Sequence, residues 1–215
     1  AAHDASLRFS GGLSNEGTLS ISGGFNDLSG EINNRSSPQG RIIVSGGATA
    51  VFYDDVSNKG IMTASASGSL QSVMVFFGDL TGNGVSGGGT VFLEGDARPG
   101  FSPGIMTFGG DLSYGPFASL NIEIGGTIPG TKHDQLTVAS ESFLDGTLKV
   151  TLIKSFVPSA GESFDLWDAA SVSGGFQSVI LPLLPAGLFW HTSNLDPTGV
   201  LSVGLLPASI VGFSV

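Results

Sequence analysis

Two glycine-rich segments match motifs that belong to enzymes. Gly100-Phe-Ser102-Pro-Gly104 has the spacing of a nucleophile elbow, in which the backbone N–H after the serine helps to bind an oxyanion. That next residue is Pro103, which has no N–H, so the segment predicts a Pro/Gly corner and no hydrolase. Gly82-Asn-Gly84-Val-Ser-Gly87 has the G-x-G-x-x-G spacing of a dinucleotide site, but the strand-like run Thr90–Leu93 follows where a helix is required. It predicts a glycine-rich turn.

The histidines show no arrangement that predicts catalysis. His3, His133 and His191 are far apart, and none has the i, i+4 spacing of a metal site. His133 and Asp134 are neighbours, but adjacent strand residues point to opposite faces, so we interpret His133 as a turn residue. The sequence predicts a non-catalytic protein with no catalytic residue, no cofactor site and no metal site. A β-helix enzyme that degrades polysaccharides is the least favoured alternative, since it needs a cluster of acidic and basic residues that a single sequence does not reveal.

Several acidic residues lie near predicted turns: Asp54, Asp55, Asp79 and Asp96. Carboxylates of successive turns can converge on Ca²⁺, which binds oxygen ligands. The sequence contains neither an EF-hand loop nor a G-G-x-G-x-D array, so we interpret these residues as solvated turn acids. Structural Ca²⁺ at these acids stays open as the alternative, and no other cofactor is expected.

Two pairs of adjacent aromatic residues, Phe76-Phe77 and Phe189-Trp190, could bind carbohydrate. Neighbouring residues of a strand point to opposite faces, so each pair predicts one ring inside and one outside. An exposed outer ring would form a stacking platform for sugars, whereas core or cap positions are the alternative. A carbohydrate-binding adhesin module is therefore one open function.

The composition favours a folded all-β protein and excludes several partners. Gly accounts for 34 of the 215 residues, and each Gly costs about 1 kcal/mol relative to Ala inside a helix, so long helices are not expected. The formal net charge of −10 argues against nucleic-acid binding, which needs a phosphate-neutralising surface. The absence of Cys excludes disulfides and thiolate metal sites. No apolar run reaches the roughly 18 residues of a membrane-spanning helix, so the chain is not expected to cross a membrane.

The first residues, Ala1-Ala2-His3-Asp4, are typical of a chain from which a signal peptide has been removed. We therefore expect a secreted protein, located outside the cell or at the cell surface. Export without disulfides fits a bacterial surface protein.

A five-residue pattern of Gly, any residue, apolar, any residue, apolar recurs along the chain. Copies and variants begin at Gly17, Gly40, Gly60, Gly89, Gly104, Gly146 and Gly199. Alternation with period two after a turn-forming Gly predicts a strand with one buried face. Gly residues 17, 40, 60 and 84 are 23, 20 and 24 positions apart, which is the length of a β-solenoid coil. We predict an all-β fold, a parallel β-helix (β-solenoid) with degenerate coils of about 20–24 residues; an antiparallel β-sandwich or jelly roll is the alternative.

The composition also changes along the chain, near Arg98. Residues 1–97 form a Gly/Ser/Asn-rich region of predicted β repeats, and residues 98–207 form a region richer in aromatic side chains. Residues 208–215 follow Pro207 and are predicted to form an extended C-terminal strand arm.

Six motifs follow one another in the second region: Arg98-Pro-Gly-Phe-Ser-Pro-Gly104, Leu120-Asn-Ile-Glu-Ile-Gly-Gly126, His133-Asp-Gln-Leu136, Leu144-Asp-Gly-Thr-Leu148, Phe164-Asp-Leu166 and Ser173-Gly-Gly-Phe176. In this order they resemble the passenger repeats of bacterial autotransporters and similar exported Gly-rich surface proteins. The resemblance covers about half of the chain. It implies a β-helical structural protein, held at the cell surface or released, with no shared catalytic residues.

Both terminal segments read as strands that can pair with a second copy. A solenoid ends in rows of unpaired N–H and C=O groups, which pair with another chain unless they are capped. We predict that residues 208–215 add as a strand to the next subunit, with the interface formed by Leu7, Phe9, Ile210, Val211, Phe213 and Val215. The predicted function is a self-assembling surface fibre or biofilm-matrix subunit whose partner is itself. Terminal segments that cap their own subunit, and cell-surface glycans as ligands, are the alternatives.

Overall fold

A computed structural model describes residues 4–207, in which the regular structure is almost entirely β. The chain first forms β1 (Ala5–Arg8), β2 (Leu13–Asn15), β3 (Thr18–Ser22), β4 (Phe25–Ser29), β5 (Ile32–Asn34), β6 (Arg41–Ser45), β7 (Thr49–Phe52), β8 (Val56–Asn58), β9 (Ile61–Ala64), β10 (Ala66–Ser67), β11 (Leu70–Gln71), β12 (Val73–Phe76) and β13 (Leu80–Gly82). It continues with β14 (Gly84–Val85), β15 (Thr90–Leu93), β16 (Asp96–Pro99), β17 (Ile105–Phe108), β18 (Leu112–Tyr114), β19 (Ser119–Ile124), β20 (Gln135–Leu144), β21 (Thr147–Leu152), β22 (Ser163–Asp165), β23 (Trp167–Gly174), β24 (Ser178–Ile180), β25 (Leu188–His191), the single-turn helix α1 (Leu195–Thr198) and β26 (Val200–Leu205).

Most strands pair in parallel, in three series that we name sheets A, B and C. Sheet A contains β1, β4, β7, β12, β15 and β18, followed by the second halves of β20 and β23. Sheet B contains β2, β5, β8, β13, β16, β19, β21 and β24. Sheet C begins with β3, β6 and β9, and a bridge from Thr63 to Ser86 leads on to β14, β17 and the first halves of β20 and β23.

The chain visits these sheets in a repeated order. It passes through β2, β3 and β4, and then through β5, β6 and β7, which pair with those three strands in parallel. Parallel neighbours need a long crossover connection, usually a helix, and here strands of the other two sheets provide it. The antiparallel sandwich does not describe these sheets, because their pairing is parallel.

The interval between paired residues changes along the chain. In the first half, hydrogen-bonded asparagines of neighbouring strands are 19 and 24 residues apart, near the predicted length. In the second half, 30 residues separate Thr107 from its partner Thr137. Segments 125–134 and 153–162 connect strands there and lengthen the interval. The predicted interval of 20–24 residues therefore does not extend to the second half.

The glycine-led pattern predicts the strand starts correctly. Each of the seven glycines directly precedes a strand, namely β3, β6, β9, β15, β17, β21 or β26. The second and fourth residues after the glycine are the inward ones, as Met62 and Ala64 after Gly60 show, both being fully buried. Alternation with period two therefore identified the buried face of these strands before any pairing was known.

Gly60 shows why glycine occupies this position. A Cβ at Gly60 would collide with the carbonyl oxygens of Gly40 and Arg35 in the preceding turn of chain. At Gly17, the first copy, a Cβ would meet nothing within 4 Å, because no described strand lies in front of β3. The requirement for Gly therefore comes from the close approach of a neighbouring strand.

Inward side chains of sheet A form a continuous apolar row: Leu28, Phe52, Phe76, Leu93 and Tyr114. The rings of Phe52 and Phe76 are stacked, with centroids 4.8 Å apart and planes 8° apart. Full burial of one such side chain stabilises a fold by roughly 1.5–3 kcal/mol. Because each member rests on the same position of the next strand, the row belongs to one hydrophobic core shared by all three sheets.

A row of buried asparagines lies where sheet B meets sheet C. Asn15 Nδ2 donates to Asn34 Oδ1 at 2.8 Å, and Asn34 Nδ2 donates to Asn58 Oδ1 at 2.8 Å. Asn58 Nδ2 completes the row by donating to the carbonyl oxygen of Gly84 at 2.7 Å. Asn34 and Asn58 each accept from the preceding turn of chain and donate to the next, and Asn15 Oδ1 accepts the N–H of Gly17. These bonds satisfy polar groups that burial would otherwise penalise.

An antiparallel sheet of β22, β26 and β25 follows the parallel series. A second antiparallel pair, β10 with β11, is a small hairpin on the way to β12. The predicted boundary at Arg98 falls inside β16, which pairs with β13 on one side and β19 on the other. Long helices were not expected, and α1 has four residues.

Candidate functional site

The first strands of the three sheets leave one end open within residues 4–207. β1, β2 and β3 are the first strands of sheets A, B and C, and each has one described neighbour. Partly buried apolar side chains pack on the core from this end: Leu7, Phe9, Leu13 and Leu19. Such an edge presents backbone N–H and C=O groups to a further strand.

Two of the six predicted interface residues lie at this open end. Leu7 lies in β1 and is paired with Leu28 of β4. Phe9 follows β1 and donates its backbone N–H to the carbonyl oxygen of Ser29 at 2.8 Å. The other four predicted residues, Ile210, Val211, Phe213 and Val215, lie outside the described residues.

The opposite end carries the antiparallel sheet and a group of packed aromatic rings. Phe164 of β22 and Trp167 of β23 are fully buried. The ring of Trp190 meets that of Phe164 edge-on at 6.0 Å, and Trp190 Nε1 donates to the carbonyl oxygen of Pro182 at 2.9 Å. One end is therefore filled by large side chains, whereas the other is bounded by strand edges.

The first aromatic pair behaves as predicted, with one ring inside and one outside. Phe76 is fully buried, and Phe77 is 52% exposed. Phe77 stacks on Tyr53 of the preceding turn, with centroids 5.5 Å apart and planes 4° apart, and Tyr53 is 47% exposed. Tyr53 is held in turn by its hydroxyl group, which donates to Asp27 at 3.0 Å and has a raised pKa because the carboxylate accepts that proton. The two rings form an exposed stacked pair, which we name the Tyr53–Phe77 platform.

The second aromatic pair forms no such platform. Phe189 lies 4.2 Å from the ring of His191, tilted by 55°, and Trp190 packs against Phe164. Both Phe189 and Trp190 are partly buried, so they belong to the packed C-terminal end.

The turn acids form a ladder along the edge of sheet B. Asp55 accepts the backbone N–H of Asp79 at 2.9 Å, and Asp79 accepts that of Asp96 at 3.3 Å. Arg98 bridges Asp79 at 2.8 Å and Asp96 at 3.0 Å. Burial raises the pKa of Asp79, and the Arg98 guanidinium opposes that rise. Asp54 joins the same system by accepting the N–H of Gly30 at 2.7 Å.

Gly100–Gly104 forms the corner that its proline predicts, between β16 and β17. Ser102 has a positive φ of 72°, and its hydroxyl group donates to the Glu123 carboxylate. No described histidine contacts Ser102, and Pro103 has no N–H to offer an oxyanion. The Gly82–Gly87 segment is followed by a strand, β15, as predicted. It is more than a turn, however, because it contains the two-residue strand β14, which pairs with β17.

The interpretation of His133 as a turn residue is incomplete, because the side chain is fully buried. Its Nδ1 lies 3.0 Å from the carbonyl oxygen of Gly126, and its Nε2 lies 3.1 Å from that of Asp165. His133 therefore fixes the segment after β19 against β22.

Asp134 has a structural role of the same kind. Its two oxygens accept the backbone N–H groups of Gly104 and Glu123, each at 2.8 Å. Burial raises the pKa of Asp134 to about 6, although both hydrogen bonds act in the opposite direction. Asp134 as a whole is 3% exposed, and its carboxyl group holds two connections together.

Two classes of site are not found in the part of the chain that the structure describes. Between residues 4 and 207, no group of three or more His, Asp or Glu residues is placed to hold a metal ion. In the same region, no helix has the length and apolar character needed to cross a membrane.

The outward side of sheet B carries functional groups that sequence reasoning missed. Arg98, Asn121 and Lys149 lie on successive strands, β16, β19 and β21, beside the exposed ring of Phe101. No sequence spacing could identify them, since the connections between these strands differ in length.

Comparison of the chain with protein-family models, with curated proteins and with solved structures finds no match. The resemblance to autotransporter passenger repeats therefore stays a prediction that rests on the six motifs.

Proposed function

We propose that this chain is a non-catalytic extracellular structural protein, built as a parallel β-helix and assembled head to tail into a surface fibre or matrix. The repeated passage through sheets B, C and A supports the β-helix, because each strand returns to its predecessor after two strands of the other sheets. The resemblance to exported passenger repeats supports a location at the bacterial cell surface or outside the cell.

The single observation that carries the assembly proposal is the difference between the two ends. At the N-terminal end, β1, β2 and β3 each lack a second partner within the described residues. At the C-terminal end, packed aromatic rings and an antiparallel sheet follow the last parallel strands. A contact between two unlike surfaces propagates as a filament when it does not close into a ring.

The length of the C-terminal segment favours a second copy as its partner. Sheet B has eight strands, and at about 4.8 Å per spacing its first and last strands are about 34 Å apart. β26 lies at the far end, where Leu166 beside β23 donates to Gly199 just before β26. Residues 208–215 span at most about 29 Å when fully extended. An extended segment of that length is shorter than the separation of the first and last strands of sheet B, which supports pairing with the open edge of another molecule.

Electron microscopy and light scattering test this proposal on the full chain. We expect filaments that disappear on truncation after Pro207 and in the double variant Ile210→Asp/Phe213→Asp. The control Ser209→Asp/Ser214→Asp adds the same charge to the same segment and should still form filaments. A monodisperse monomer for the full chain at all concentrations would contradict the proposal.

A carbohydrate-binding adhesin is the second candidate, because of the Tyr53–Phe77 platform. Flat exposed rings bind the C–H faces of sugars, and a hydrogen bond and a stacking contact already fix these two. Affinity electrophoresis in gels that contain cell-surface polysaccharide tests it. Phe77→Ser should lose the retardation, whereas Phe92→Ser, at another exposed phenylalanine of sheet A, should keep it. Equal retardation of the two variants would exclude the platform.

A further inference from the structure

We propose that two copies of this chain join by making sheet B continuous, with β24 of one copy paired in parallel with β2 of the next. β24 and β2 are the last and first strands of that sheet, and each has one described neighbour. This contact rests on the proposed head-to-tail assembly, for which it specifies the strand edges. It leaves β1, the strand of Leu7, free to pair with residues 208–215.

Backbone groups on both strands point to a free edge. The N–H and C=O groups of successive residues in a strand point to opposite edges. Ser178 donates its N–H to the carbonyl oxygen just before β21 at 3.2 Å, so the groups of Val179 point to the free edge of β24. Leu13 donates its N–H to the carbonyl oxygen just before β5 at 2.7 Å, so those of Ser14 point to the free edge of β2. Both edges therefore offer donors and acceptors to a further strand.

The direction of these groups restricts how the two edges can pair. Parallel pairing joins a residue whose groups face the partner strand with a residue whose groups face away, as Leu13 and Ile32 do. The groups of Val179 face the new partner, so its opposite residue in β2 must face away from it. Leu13 and Asn15 meet this condition, because both use their backbone groups toward β5.

An inward apolar column of sheet B selects Leu13 as the partner of Val179. Paired positions form this column, which begins with Leu13 and Ile32 and ends with Leu148 and Val179. Its inner members are buried, whereas Val179 is 37% exposed and Leu13 is partly exposed. Pairing Val179 with Leu13 continues the column and covers both end members, whereas pairing with Asn15 would place a valine against the asparagine row.

This register completes the backbone hydrogen bonds at the contact. The Val179 N–H lies opposite the carbonyl oxygen of Gly12, and the Ser14 N–H lies opposite the carbonyl oxygen of Val179. Both bonds repeat the pattern between β2 and β5, in which Leu13 donates to the residue before its paired position. Since all strands of sheet B are parallel, a head-to-tail arrangement gives β24 and β2 the same direction.

Sheets A and C do not offer such an edge at the C-terminal end. Both end in β23, and α1 packs against that strand with Leu195 buried. Leu166 beside β23 donates its N–H to the carbonyl oxygen of Gly199, just after α1, at 2.9 Å. Among residues 4–207, no helix or strand lies on the free edge of β24, whose three residues are all exposed.

Exposed apolar side chains next to this edge favour a second copy as its partner. Ile180 lies in β24 and Leu183 follows it, and they are 51% and 97% exposed. Leu206, also exposed, joins them by donating its N–H to the carbonyl oxygen of Gly187 at 2.8 Å. The open end of the next copy presents four partly buried apolar side chains around β1, β2 and β3. Contact between the two ends therefore covers apolar surface on both sides.

Disulfide trapping tests this register, because the chain contains no Cys. In the proposed contact, Ser14 lies beside Ile180 of the next copy, with Cα atoms about 4.8 Å apart. That separation lies in the range of about 4.4–6.8 Å that a disulfide spans. We expect oxidised filaments of Ser14→Cys/Ile180→Cys to give a ladder of covalent oligomers on a non-reducing gel. Asn33→Cys/Ile180→Cys is the matched control, since exposed Asn33 lies one strand further away, at about 9.6 Å, and should give at least tenfold less product.

A charged substitution in the column provides a second measurement. Val179→Asp should abolish filaments, because it places a carboxylate between two apolar residues. Val157→Asp makes the same change at an exposed valine outside the strands and should still form filaments. Far-UV circular dichroism of each variant shows whether the fold is intact.

The outcomes separate this contact from assembly itself. Filaments that give no disulfide ladder, equal ladders from the two Cys variants, or undiminished filaments of Val179→Asp would overturn the pairing of β24 with β2. Those results would leave the proposed fibre standing. A wild-type chain that forms no filaments would contradict the proposed function, and this contact with it.

Discussion

Asn34 connects three successive turns of the chain through one side chain. It accepts from Asn15 and donates to Asn58 and to the carbonyl oxygen of Ile61, and it is fully buried. Removing it would leave Asn15 Nδ2 with the carbonyl oxygen of Arg41 alone, and it would take away the amide donor to Asn58 Oδ1 and to the carbonyl oxygen of Ile61. Orphaned buried polar groups cost about 1–3 kcal/mol each, which makes this residue a sensitive test of the row.

We predict that Asn34→Leu lowers the free energy of unfolding by about 2–5 kcal/mol, measured by urea titration. Asn33→Leu is the control, since Asn33 lies in the same strand with its side chain exposed. A surface change of that kind should alter stability by about 0.5 kcal/mol or less. Similar losses in the two variants would show that the asparagine row does not stabilise the fold.

The raised pKa of Asp134 predicts how the free energy of unfolding depends on pH. Its pKa is about 6 in the folded protein and about 3.8 when unfolded, so the folded state binds the proton more tightly. The stability it contributes is therefore fully present below about pH 4 and is lost as the pH rises through 6. The loss is at most about 3 kcal/mol, since each pKa unit corresponds to about 1.4 kcal/mol.

The expected result is a decrease in the free energy of unfolding between pH 4 and pH 7 that is smaller in Asp134→Asn. That variant is less stable at every pH, because an amide cannot accept both the Gly104 and the Glu123 N–H groups with its NH₂. The ionisation of Asp134 is therefore measured by how much the slope of the free energy of unfolding against pH differs between the wild type and Asp134→Asn. Parallel pH profiles for the two proteins would contradict the assignment.

At the scale of the strand, the glycine-led start depends on what lies in front of it. Gly60→Ala forces a methyl group into the carbonyl oxygens of the preceding turn, and we expect a loss of roughly 1–3 kcal/mol from overpacking. Gly17→Ala is matched to it in sequence pattern but has open space around the new methyl group. It should change the thermal midpoint little. If both substitutions destabilise equally, backbone freedom and not close approach explains the glycine.

At the scale of the whole molecule, a head-to-tail contact has two unlike halves that can be disabled separately. Leu7→Glu/Phe9→Glu alters the open end, and truncation after Pro207 removes the donated segment. We predict that neither variant forms filaments alone and that an equimolar mixture forms dimers, because one donor and one acceptor remain. Sedimentation velocity detects the dimer.

A matched double variant controls for the added charge at the open end. Ser6→Glu/Ser10→Glu places the same charges on exposed neighbours, one in β1 and one just after it, and should still assemble. Two outcomes would contradict a single head-to-tail interface: filaments in the mixture of the two disabled variants, or no association between them.

Local pattern alone determined the all-β class, the seven strand starts, the buried residues after each glycine and, within residues 4–207, the absence of long helices. These follow from alternation and from the helix cost of glycine, which are properties of neighbouring residues. Pattern also predicted one ring inside and one outside for Phe76 and Phe77. It could not reveal that Phe77 would stack on Tyr53, 24 residues earlier, because stacking requires the register between two strands.

Only the tertiary structure decided the remaining features. Three features depend on how many residues each connection inserts between paired strands. They are the intervals of about 30 residues, the asparagine row, and the polar side chains of Arg98, Asn121 and Lys149 beside Phe101. Arg98, Asn121 and Lys149 become neighbours because parallel pairing places their strands side by side, although variable connections separate them in sequence. Side chains of different strands meet through register, which is set by the packing of the whole core and leaves no signal in any single segment.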